Sequence, residues 1–84
     1  MSTNIYVGNL SFQTDSDALK AIFSEYGEVI SAQVIADRDT GRSRGFGFVE
    51  MASGEEAEKA IAETNGKNVD GRQLNVNIAR ERSR

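Results

Sequence analysis

The sequence predicts an α+β fold: a βαββαβ sandwich with a four-stranded antiparallel sheet and two helices on one of its faces. Three observations carry this. Four short β-rich runs alternate apolar and polar residues, two segments behind N-capping residues space their apolar residues by three and four, and the order is strand, helix, strand, strand, helix, strand. With 84 residues, of which 38% are hydrophobic and 27% charged, the chain has material for one modest core and no second domain. Residues 1–84 therefore read as a single domain, with a short basic tail at 80–84.

Ile5 to Asn9 is the first strand, with Ile5 and Val7 on one side and Tyr6 on the other. Thr14 is the expected N-cap of the first helix, with Asp17 three residues on. Leu19, Ile22, Phe23 and Tyr26 line one face of that helix, and Phe12 is expected to close its start. Gly27 stands where a left-handed residue would stop the helix. Val29 to Ala36 is the second strand, its alternation suggesting Ile30, Ala32 and Val34 inward and Ser31, Gln33 and Ile35 outward, with a slip of one residue in that phase left open. Asp37 to Arg44 is polar, holds Gly41 and three arginines, and forms a hairpin loop. In the strand Gly45 to Met51, period two puts Val49 and Met51 on one face and Phe46, Phe48 and Glu50 on the other. Ser53 and Glu56 make a capping box for a helix whose stripe is Ala57, Ala60, Ile61 and Thr64, ended by Asn65-Gly66. Asp70-Gly71 marks a tight turn, and Leu74, Val76 and Ile78 alternate with Asn75, Asn77 and Ala79 in the last strand.

Right-handed crossovers in each half turn this order into the split βαβ, or ferredoxin-like, sandwich. Its first and third strands are central and antiparallel, and the sheet face away from the helices stays open. The charge follows the same division. Ten Lys and Arg against thirteen Asp and Glu give −3, which argues against a polyanionic partner until position is considered. Residues 15–28 and 53–64, the two helical segments, each sum to −3, and the remainder sums to +3.

Several functions are excluded or disfavoured by composition. Without Cys or His there is no disulfide, thiolate metal site, cysteine nucleophile or imidazole base. No run of apolar residues is long enough to cross a membrane and the N-terminus has no signal-peptide pattern, so a cytoplasmic protein is expected. Asp37 to Gly41 suggests a calcium loop, but its glycine falls one place early and Phe48 stands where the last carboxylate belongs. No metal and no cofactor are expected.

If Val7, Val49, Met51, Val76 and Ile78 face the helices, Tyr6, Phe46 and Phe48 must face the open side. That leaves three of the six aromatic rings in water, an arrangement that calls for a partner with flat apolar faces. Unstacked nucleobases are such faces. Gly8, Gly45 and Gly47 add no bulk there, and Arg44 at the entry to the aromatic strand can fork two donors onto a phosphate.

Ile5-Tyr6-Val7-Gly8-Asn9-Leu10 resembles the hexapeptide, and Arg44-Gly45-Phe46-Gly47-Phe48-Val49-Glu50-Met51 the octapeptide, of the RNA recognition motif. The resemblance covers essentially the whole chain, and the length of 84 is similar to that of compact single-domain RNA-binding proteins of bacteria or equally to one domain excised from a longer protein. It implies that Tyr6 and Phe48 each stack a base, that Phe46 packs against sugars and that Arg44 binds the backbone. Met51 departs from the family's Phe or Tyr, and period two makes that a packing change on the helix side. The outward polar residues Gln33, Asn75, Asn77 and Glu50, with main-chain groups near Ala79 and Arg80, are the candidates for reading base edges. The tail arginines Arg80, Arg82 and Arg84 add a phosphate term.

The expected function is single-stranded RNA binding in post-transcriptional regulation or as an RNA chaperone, without catalysis, by a monomer that binds single-stranded DNA less well. The alternative is a protein interaction module that uses the sheet or the acidic helices. An acylphosphatase-like hydrolase on the same fold lacks the oxyanion loop and water-orienting side chain such chemistry requires.

Overall fold

The structure, a computed structural model, describes residues 2–69 and 71–79. In chain order the elements are β1 (Thr3–Gly8), α1 (Ser16–Ser24), β2 (Val29–Ala36), β3 (Ser43–Met51), α2 (Gly54–Thr64), β4 (Asn68–Val69), β5 (Arg72–Gln73) and β6 (Asn75–Ile78). Alternation in β1 and β3 sends Ile5, Val7, Val49 and Met51 to one side, where each is fully buried. Their partners there are the stripes of the two helices, Leu19 and Phe23 from α1 and Ala57, Ala60 and Thr64 from α2. Burying each large side chain contributes roughly 1.5–3 kcal/mol. Pairing is antiparallel throughout the main sheet, whose order is β2-β3-β1-β6. The α+β sandwich with two helices on one face of a four-stranded sheet is thus observed, with β1 and β3 in the centre.

Several local expectations are corrected. Asp15, one residue after Thr14, caps α1: its Oδ1 accepts from the Ala18 amide at 2.9 Å, while Thr14 is buried and donates its amide to the Ser11 carbonyl at 3.0 Å. The next residue, Ser16, accepts from the Val34 amide at 3.0 Å, which pins the helix start to β2. Gly27 is not left-handed. A Cβ there would lie 2.6 Å from the Glu56 carboxyl carbon, so glycine is required by the close approach of this loop to α2. That same Glu56 carboxylate accepts from the Glu28 amide at 3.2 Å. Of the α2 capping box, the Ser53 half is formed, with Oγ accepting from the Glu56 amide at 3.1 Å.

In β2 the register shifts between Val29 and Ser31. The bulge turns Val29 toward the core and leaves Ile30 52% exposed, the reverse of the alternation expected at that end; Ala32 and Val34 keep their inward phase. Another correction lies after α2, where β4 and β5 form a two-stranded ribbon that the sequence reading passed over. Gly66 and Gly71, at φ 84° and 82°, make its approach and its turn. Asp70 lies outside the described residues. Leu74, just before β6, and Val76 within it are buried as expected, whereas Ile78, expected inward, is 41% exposed at the end of this edge strand.

Candidate nucleic-acid interface

Cross-strand register assembles the uncovered face row by row. Gln33 of β2 stands opposite Phe48 of β3, Phe48 opposite Tyr6 of β1, and Tyr6 opposite Asn77 of β6, which makes one row across all four strands. The neighbouring row is Phe46, Gly8 and Asn75, and on the other side Ser31, Glu50 and Asn4 align. Pleat parity alone therefore brings together the residues that the sequence assigned to this face.

The three rings form a triangle. Centroids are 6.0 Å apart for Tyr6 and Phe46, 5.9 Å for Tyr6 and Phe48 and 6.0 Å for Phe46 and Phe48, with interplanar angles of 33°, 62° and 88°. Such tilted and edge contacts hold the rings in place while leaving Phe48 39% exposed and Tyr6 and Phe46 half-buried. Tyr6 lies down along its own strand: a Cβ on Gly8 would meet the Tyr6 hydroxyl oxygen at 2.5 Å. A side chain at Gly8 would lift that ring.

Of the polar candidates, Gln33, Asn75 and Asn77 are exposed, and each amide offers both a donor and an acceptor. Glu50 accepts a hydrogen bond from the Ser2 hydroxyl at 2.5 Å. The Ala79 amide donates to the Asn4 carbonyl of β1 at 2.9 Å, so among the main-chain groups near Ala79 this amide is taken up by strand pairing. Arg80, with the rest of 80–84, lies outside the described residues.

Arg44 is exposed at the rim. It borders a cleft of about 280 Å³ together with Tyr6, Phe46, Asn9, Phe12 and Arg72. Arg72 was missed by the sequence reading because β5 is only two residues long, too short for periodicity to register. Phe12 is a further correction: it does not close the start of α1 but stands 68% exposed, with the Arg72 guanidinium carbon 5.8 Å from its ring centroid. In the loop before β3, the Asp37 carboxylate accepts from the Asp39 and Thr40 amides at 2.8 and 3.3 Å, and its backbone amide donates to the Arg42 carbonyl at 2.7 Å. This orders the loop and leaves Arg38 and Arg42 in solvent. Among the described residues no group of three or more acidic, His or Cys side chains is placed to hold a metal ion, and no helix is long and apolar enough to cross a membrane.

Comparison with known proteins agrees with this geometry. The chain is 53% identical over 83 residues to the chloroplastic 28 kDa ribonucleoprotein of Spinacia oleracea, covering 99% of this chain and 36% of that protein. It is 54% identical over 83 residues to the mitochondrial glycine-rich RNA-binding protein 4 of Arabidopsis thaliana, covering 99% and 61%. The chain thus spans less than two thirds of either relative. Among solved structures, RNA binding protein PG1 superposes with a TM-score of 0.91 at 49% identity, covering 98% of this chain and 99% of that one. A chain from the Sxl-lethal protein/RNA complex gives 0.86 at 38% identity, covering 92% and 47%. The relatives also overturn the cytoplasmic expectation, because they are chloroplastic or mitochondrial and point to an organelle. The physical reason is plain: a polar surface without Cys suits any aqueous compartment, so the chemistry of the folded domain does not select one. A family model described as RNA recognition motif matches residues 5–75, and the chain belongs to that family.

Proposed function

We propose that the chain binds single-stranded RNA on the open sheet face, as a non-catalytic module that serves post-transcriptional regulation or RNA chaperoning. The observation that carries this is the triangle of Tyr6, Phe46 and Phe48, spaced about 6.0 Å apart and left uncovered opposite the helices. In this reading one base stacks on Tyr6 and the next on Phe48, Phe46 supports the sugar between them, and Arg44 holds a phosphate. Gln33, Asn75 and Asn77 hydrogen-bond the base edges. Their amides can each donate and accept, so base preference is weak. Glu50 is the more selective group, since a carboxylate accepts from the exocyclic amines of A, C or G and repels a carbonyl edge.

Two stacked bases at about 1–3 kcal/mol each, with a few phosphate contacts, correspond to roughly millimolar to micromolar affinity. Single-stranded DNA is the weaker ligand, lacking the 2′-hydroxyls within reach of the amide side chains. We read residues 1–84 as one monomeric module, in which Arg80, Arg82 and Arg84 add phosphate attraction by charge alone. Titration of wild type and Phe48→Ala with short single-stranded RNA tests the proposal. The variant is expected to keep its fold and to lose about 1–3 kcal/mol of binding. Unchanged affinity would reject base stacking on the sheet and favour a protein partner for it.

A further inference from the structure

Phe12 is the most exposed of the large apolar side chains among the described residues, more so than Phe48 in the middle of the aromatic face. Its position is held from several directions. Leu10 donates its amide to the Gly45 carbonyl at 2.8 Å, beside Phe46. The amides of Gln13 and Thr14 both turn back onto Ser11, at 3.2 and 3.0 Å. Asn9, left-handed at φ 60°, donates its side-chain amide to the Gln73 carbonyl at 2.7 Å. That bond draws the β4–β5 ribbon against the loop and sets Arg72 over the Phe12 ring. Gly45, at φ 86°, completes the seat: a Cβ there would be 3.7 Å from the Phe12 ring.

An apolar ring fixed in water, backed by a guanidinium and adjoining a stacking surface, has the chemistry of a nucleotide platform. Besides the cleft it shares with Tyr6, Phe46, Arg44 and Arg72, Phe12 borders a second of about 410 Å³, with Gly41, Arg42 and Ser43. We propose that Phe12 and Arg72 form an additional nucleotide subsite beyond the edge of the sheet: a base stacks on Phe12, and its phosphate is held between Arg44 and Arg72. This rests on the sheet being the RNA-binding face, and it extends the bound strand around the end of β3 toward the arginine loop.

The test uses the whole chain and a series of single-stranded RNAs of about two to six nucleotides, lengthened separately at the 5′ and 3′ ends. Wild type is expected to gain roughly five- to a hundredfold in affinity when one end passes beyond the sheet. Phe12→Ala should lose that gain and keep wild-type affinity for the shortest RNA. Phe48→Ala should be weaker on all of them. The chain has no Trp, so Phe12→Trp reports on this site alone, and its fluorescence should be quenched by the longer RNAs and not by the shortest. Retention of the length-dependent gain by Phe12→Ala, or its absence in wild type, overturns the subsite. Unaltered binding by Phe48→Ala is the separate outcome that removes the sheet reading itself.

Discussion

Gly8 and Gly47 sit near each other in the two central strands and are glycines for different reasons. At Gly8 the atoms that a methyl group would strike belong to the far end of Tyr6, the nearest at 2.5 Å. At Gly47 they belong to the backbone of β2, the Gln33 carbonyl and the Val34 Cα, the latter at 3.0 Å. A side chain can swing away, whereas a paired strand cannot. Gly47→Ala is therefore expected to destabilise the fold by about 1–3 kcal/mol, read as a fall in Tm of about 4–8 °C per kcal/mol. Gly8→Ala is expected to melt close to wild type and to bind single-stranded RNA more weakly, by up to about 1–3 kcal/mol, because Tyr6 leaves its stacking position. Thermal denaturation and calorimetric titration of the two variants check both halves. A Gly8→Ala protein with native affinity would show that the resting pose of Tyr6 does not matter to binding.

The helix starts illustrate how far local patterns can be trusted. Ser53 caps α2 through the Glu56 amide at 3.1 Å, and Ser53→Ala is expected to cost about 1 kcal/mol in denaturant unfolding without altering RNA binding, since the cap lies away from the open face. That cap was legible in the sequence, as were the helix stripes and the parity of β1 and β3, because each follows from the spacing of a few neighbouring residues. What could not be read depends on contacts distant along the chain. The carboxylate of Glu56 leaves its capping box for Glu28, 28 residues away. Gly27 is explained by that encounter and by no turn of its own. The bulge at Ile30 is a property of pairing with β3, invisible in the apolar alternation of β2 alone. Phe12 and Arg72 meet where Asn9 reaches across 64 residues to Gln73. The aromatic face was thus apparent from period two, and its extension past the sheet was not.

Charge is the property that only the assembled molecule explains. A net −3 chain would repel a polyanion if its charges were mixed, yet the sandwich puts the acidic helices behind the sheet. The smallest Cα extent of the molecule is 19 Å, more than the Debye length of about 8 Å at physiological salt. Exposed Glu55, Glu58 and Glu63 on α2 are therefore largely screened from a strand bound on the opposite face, whereas Arg44 and Arg72 border it directly. Replacing the three glutamates together by Gln is expected to change RNA affinity by less than about twofold at 0.15 M salt, and by more as the salt is lowered and screening weakens. Arg44→Ala should reduce the slope of log affinity against log salt by about 0.7, the value for one phosphate of a single strand. Salt titrations of the two variants beside wild type separate the possibilities. If the glutamate variant bound markedly tighter at 0.15 M while Arg44→Ala left the slope alone, the RNA would have to lie near the helices, and the division of charge between the two faces would lose its functional meaning.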